Sequence, residues 1–172
     1  MTKMTSAYAN KLLKQLSEDK DFWLNKERTS CTYTAAVDET PVIPDYNYKE
    51  VSATITELDR KMCSIKHAIN LANATSYVEV GDKKLTIDMI LVKMAQLNNR
   101  KGMLDFMRKQ EPKMRKEQSA YRSSRPSAPE YQYINYDLNL IKKEYEDIST
   151  EIMNLQLALD KYNQTVEFDV EL

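Results

Sequence analysis

The stretch IKHAINLANATSYVEVGDKKLTIDMI, Ile65 to Ile90, decides how this chain is read. Its first part closes a helical pattern in which Tyr48, Val51, Ile55, Leu58, Met62, Ile65, Ile69 and Ala72 recur every three or four residues. The pattern stops near Asn70 and Asn73. Val78 and Val80 then alternate with Tyr77 and Glu79, Gly81-Asp82 can form a two-residue turn, and Leu85 and Ile87 resume an apolar face. Glycine first in the pair is what a type II′ hairpin asks for, because that position needs a positive φ. The spacing therefore predicts a helix, a hairpin over about 77–86, and a return helix, so the break reads as an elbow.

The same periodicity continues on either side. Ile90, Met94, Leu97, Leu104 and Met107 predict a third helix from about Thr86 to Gln110, with Gly102 inside it as a bend or close helix contact. Leu138, Ile141, Tyr145, Ile148, Ile152, Leu155, Leu159 and Tyr162 repeat without a miss and predict a helix over about 137–163, with Asp137 as N-cap. Ala9, Leu12, Leu16, Phe22 and Trp23 give a weaker helix over about 5–29. All five prolines fall outside these segments, as a residue that clashes with the preceding turn should. The terminal TVEFDVEL alternates Val166, Phe168, Val170 and Leu172 with acids and reads as a strand over about 166–171. We expect it to join the hairpin in a three-stranded β cap, because an isolated hairpin is marginal in water. EYQYINY, 130–136, also reads as extended.

The fold expected is mainly α: a single domain over 1–172, an elongated antiparallel bundle of four coiled-coil-like helices with a small antiparallel β cap. A flexible basic connector is expected over about 111–131.

Composition narrows the function. Two glycines in 172 residues argue against a phosphate-cradling α/β fold or a β-sandwich. Cys31 and Cys63 form neither a disulfide framework nor a CxxC pair and are expected to be reduced thiols in a cytoplasmic protein. The first residues carry no apolar leader, and no run approaches the roughly 18 apolar residues of a membrane span. Integral membrane association is not expected.

The residues of the elbow and of the last helix also carry a family resemblance. Ile69-Asn70 with Asn73, Gly81, Leu85-Thr86, and then Leu155, Leu159, Asn163 and Leu172 resemble the septicolysin-like bacterial family, largely a domain of unknown function. The chain departs from it in Gln164 where the family tends to have Trp, in LVKMA (91–95) where it has an Arg-Asp pair, and in Asp160 in place of Gln. The resemblance implies an α-rich chain, and the family's name implies a membrane-active cytolysin.

Catalysis finds little footing. The single histidine, His67, lies four residues after Cys63, so a helix would place both on one face, where an imidazole can lower a thiol pKa. No third group or oxyanion donor accompanies them, and one His with two separated Cys makes no structural zinc set. No catalytic residue, cofactor or metal is expected. Asn73-Ala74-Thr75 matches a glycosylation sequon but reads as a helix end and turn.

Charge is segregated. From Lys93 to Arg125 ten basic residues stand against three acids, a local +7 in a chain of net charge −1. Arg108, Lys109, Lys113, Arg115, Lys116, Arg122 and Arg125 are candidate contacts for an anion or nucleic acid. The other reading pairs this segment with the acids of the last helix and tail, Glu144 and Glu151 among them, and it is the one we favour. The expected function is thus a non-enzymatic, self-associating structural or protein-binding module, most plainly a homo-oligomer, with another protein as partner the next choice. Its assembly seam is expected at Ile55, Leu58, Met62, Ile148, Ile152 and Leu155. Nucleic-acid binding through 93–125 is the alternative.

Overall fold

The computed structural model describes residues 1–116 and 128–172. In chain order the elements are β1 (Thr2–Thr5), α1 (Ser6–Ser30), α2 (Tyr48–Thr75), β2 (Tyr77–Val80), β3 (Lys83–Thr86), α3 (Ile87–Arg108), β4 (Lys113–Arg115), β5 (Tyr131–Tyr133), α4 (Leu138–Thr165) and β6 (Glu167–Val170). The protein is mainly α with small antiparallel strand pairs.

Local chemistry places the helix ends. Thr5, in an extended conformation, caps α1 by accepting a hydrogen bond from the Tyr8 N–H at 3.3 Å, and Asn47 caps α2 by accepting one from Lys49. Asp137 caps α4 as expected: its carboxylate accepts from the N–H groups of Asn139 at 2.8 Å and Leu140 at 3.3 Å. At the start of α3 the Asp88 carboxylate accepts from the Met89 N–H and from the Thr86 hydroxyl.

The structure divides into two compact units, one made of 1–89 with 158–172 and the other of 90–157. The sequence reading expects one domain. No composition shift marks the division, because both boundaries fall inside continuous helices, α3 and α4, with no linker to betray them.

In the first unit α1 and α2 pack side by side and antiparallel. Lys20 pairs with Asp59 at 2.6 Å, and the Tyr46 hydroxyl donates to Glu27 at 3.2 Å, so numbers rise on one helix as they fall on the other. Ala9, Leu16 and Ile65 are buried together with Met4 and Val170 from two strands, and Leu12, Leu58, Met62, Ile69 and Phe168 pack around them. Burying a side chain of this size removes it from water for roughly 1.5–3 kcal/mol.

The hairpin β2–β3 forms with the expected register, Tyr77 opposite Thr86 and Val80 opposite Lys83, and Gly81 leads its turn at φ +59°. The three-stranded cap does not form. β6 pairs instead with β1, Thr2 opposite Val170 and Thr5 opposite Glu167, while β2–β3 remains a two-stranded sheet against α2. Four residues of TKMT are too few to show a period, so nothing local in the sequence predicts this strand. Its Met4 nevertheless supplies a buried apolar side chain, opposite Phe168 and in the core that Val170 shares.

In the second unit α3 and α4 run antiparallel. Lys93 pairs with Glu151, and Arg100 with Glu144 at 2.9 Å, while the Tyr136 hydroxyl just before α4 donates to the carbonyl of Met107 at 2.7 Å. Among the described residues, Ile90, Leu104, Ile141 and Leu155 are its buried side chains. Gly102 is neither a close contact nor crowded: it is exposed, and a Cβ there would meet nothing within 4 Å. The expected flexible connector over 111–131 is regular at both ends, where Lys113–Arg115 form β4 and pair antiparallel with β5.

Candidate functional site

The hairpin β4–β5 is where the basic segment meets its aromatic neighbours. Lys113 stands opposite Tyr133, Met114 opposite Gln132, and Arg115 opposite Tyr131. Side chains alternate across a strand, and directly opposed residues share a face. Lys113, Arg115, Tyr131 and Tyr133 therefore form one face, and Met114 with Gln132 the other. The two rings stand 6.5 Å apart, and the Lys113 ammonium lies 4.2 Å from the centre of the Tyr131 ring and 5.6 Å from that of Tyr133. Both tyrosines are open to solvent, Tyr131 at 43% and Tyr133 at 61%. The Met114–Gln132 face turns towards the end of α3 and, with Phe106, Met107, Tyr133 and Tyr136, lines a cleft of about 180 Å³. Backbone bonds extend the ladder beyond the paired residues: the Lys116 N–H donates to Glu130 at 2.9 Å, and that of Ile134 to Pro112 at 3.3 Å.

The structure divides the basic segment in two. On α3 the cations are answered within the fold: Lys93 by Glu151, Arg100 by Glu144, and Arg108 and Lys109 both by Asp105, whose carboxyl is held below its usual pKa by Lys109 and Arg108. Lys101 lies over the Tyr145 ring. Lys93–Glu151 and Arg100–Glu144 are pairings with acids of the last helix, as the charge pattern led us to favour, whereas Asp105 lies on α3 itself. On the hairpin, Lys116 pairs with Glu130 at 3.5 Å, and Lys113 and Arg115 have no ion-pair partner among the described residues. Arg122 and Arg125 lie outside the described residues.

The expected assembly seam is largely turned inward. Leu155 is 1% exposed and offers no surface to a partner, Leu58 and Met62 pack against the core of the first unit, and Ile55, Ile148 and Ile152 are half-buried. Within the chain, then, the repeat packs Leu58, Met62 and Leu155, while Ile55, Ile148 and Ile152 keep part of their surface open. The outward stripe is on α3: Val92, Gln96, Asn99, Met103 and Phe106 recur at four, three, four and three residues, with Val92 59%, Met103 55% and Phe106 61% exposed. Gln96 and Asn99 interrupt it, so apolar spacing alone does not single it out.

In the first unit a second cleft, of about 520 Å³, is lined by Ser64, His67, Leu71, Thr75, Phe168 and Asp169, among others. It brings the only histidine beside the acidic strand β6, a juxtaposition that pairing β6 with the hairpin had hidden. His67 and Cys63 are both exposed, and among the described residues no hydrogen bond joins them. No group of three His, Cys, Asp or Glu side chains among the described residues is placed to hold a metal ion. No helix among them is long and apolar enough to cross a membrane.

No family model matches the chain, and no curated protein matches it. A crystal structure of a functionally unknown conserved protein from Corynebacterium diphtheriae is similar to it in fold, with a TM-score of 0.61 at 15% sequence identity over 98% of this chain and 100% of that one. The likeness is one of architecture.

Proposed function

We propose that the protein is a non-enzymatic helical module that assembles with copies of itself through the outward stripe of α3. The observation that carries this reading is the run Val92, Gln96, Asn99, Met103 and Phe106, set on the side of the helix opposite Ile90, Leu97 and Leu104. Large apolar side chains that line up in water mark an interaction surface, whereas scattered ones do not. The spacing is that of a coiled-coil seam, in which an amide side chain at a core position selects register and partner number at some cost in stability. Asn99 and Gln96 fit that role. A second copy supplies the same stripe, and two-fold pairing sets like against like.

Light scattering behind a sizing column tests this. The wild-type chain should run heavier than its 20.1 kDa. Val92→Glu combined with Met103→Glu should return it to the monomer mass with unchanged helical circular dichroism, since both side chains are exposed. A wild-type chain that stays monomeric up to about 1 mM, where association would be worth only about 4 kcal/mol, removes the proposal.

A further inference from the structure

The face that β4–β5 presents to solvent has a chemistry distinct from the α3 stripe. Its four side chains are two rings and two cations, arranged so that each cation stands opposite a ring on the neighbouring strand. Its cations are the two residues of Lys93–Lys116 that have neither an ion-pair partner nor a ring on another helix among the described residues. Its tyrosines keep much of their ring surface in water, Tyr131 at 43% and Tyr133 at 61%, and so leave π-faces open to a ligand. The reverse face, Met114 with Gln132, borders the cleft at the end of α3, and Tyr133 reaches its rim while staying exposed.

We propose that this face binds single-stranded nucleic acid, with bases stacked on Tyr131 and Tyr133 and the adjoining phosphates neutralised by Lys113 and Arg115. Stacking on an aromatic side chain is tolerant of sequence, because every base has a π-face, and a cationic rim follows the backbone. The ring spacing decides between strand types. The ring centres are 6.5 Å apart and their planes are tilted by 49°, whereas successive bases along one strand of a duplex are parallel and roughly 3.4 Å apart. Only a strand whose bases are splayed can lay one on each ring. Lys113 lies over the Tyr131 ring and close to that of Tyr133, so a base that stacks there displaces the ammonium from the ring face towards the adjoining phosphate.

Fluorescence anisotropy with the full chain and a labelled oligodeoxythymidine of about 12 nucleotides tests this, over a series of salt concentrations. The slope of log K against log salt should be about −1.4 for two neutralised phosphates, and Lys113→Ala should reduce it by about 0.7. Tyr131→Ala and Tyr133→Ala should each weaken binding at least about fivefold, while Tyr131→Phe, which keeps the π-face, should bind as wild type. The Phe variant, with helical circular dichroism for all variants, separates loss of stacking from loss of the hairpin. A duplex of the same length should bind more weakly. Three results each overturn the proposal: no binding at low salt, equal binding of duplex, or binding that heparin displaces and the alanine substitutions leave unchanged. The last would describe a nonspecific polyanion surface.

Discussion

The guanidinium of Arg108 lies 4.2 Å from the centre of the Tyr145 ring while also pairing with Asp105 at 2.7 Å, so one α3 side chain is bonded along its own helix and stacked on α4 at once. Asp105 orients the fork, and the fork covers the ring. Arg108→Ala and Tyr145→Leu should each lower the melting temperature, by no more than about 2–4 °C for a chain of this size. The two losses should overlap in a double-mutant cycle. Asp105→Asn should weaken the stacking without touching the ring. Additive effects of Arg108→Ala and Tyr145→Leu would show that the contact carries no coupling.

Glu57 offers a test by pH. Arg60 donates two hydrogen bonds to its carboxylate, both at 2.8 Å, and Lys61 stands 3.6 Å away, which holds the carboxyl at a pKa of about 2 against an ordinary 4.5. A folded-state pKa lowered in this way gives a contribution that is complete above about 4.5 and lost as pH falls through about 2. Both side chains are about half exposed, so solvent screens the pair and its share of stability is small. The titration itself is the sensitive measurement. The carboxyl carbon resonance of Glu57 should shift with a midpoint near 2, and Arg60→Gln should move that midpoint up toward the ordinary range.

The two glycines should respond with opposite sign. Gly81 holds φ at +59° with open space around it, so an added Cβ meets no neighbour but forces an L-residue into the left-handed region. Gly81→Ala should cost about 1–2 kcal/mol, and Gly81→Asn less. Gly102 sits in regular helix with equally open space. Gly102→Ala should stabilise the protein by up to about 1 kcal/mol, because glycine gives up more backbone freedom in a helix than alanine does. Urea titration of the three variants decides both.

The features legible in the sequence are those determined by near neighbours. The stripe from Leu138 to Tyr162 is buried or half-buried throughout, and Asp137 binds N–H groups only two and three residues ahead. The hairpin over 77–86 is a two-residue turn whose glycine announces it. Long-range pairing was not legible. The partner of β6 is a strand of four residues at the other end of the chain, and nothing local in TKMT distinguishes it from a frayed end. The basic and aromatic face was hidden for a related reason. KMR and YQY are each only three residues, too short a window to read a period, and only the pairing sets lysine opposite tyrosine. The inward turn of Leu58, Met62 and Leu155 could not be read either, since a seam within a chain and a seam between chains have the same spacing.

The pairing of Thr2–Thr5 with Glu167–Val170 has a consequence for the ribosome's order of delivery. The first unit is interrupted: its strand β1 and helices α1 and α2 emerge early, but β6, whose Val170 shares their core, comes out last. The second unit, contiguous in sequence, ends at Leu157, before β6 has been made. Vectorial synthesis therefore reverses the apparent sequence, and the part that begins first is finished last. Until Val170 is released, the nascent chain holds Met4, Ala9 and Ile65 without their final neighbour, a window in which chaperones would find their substrate.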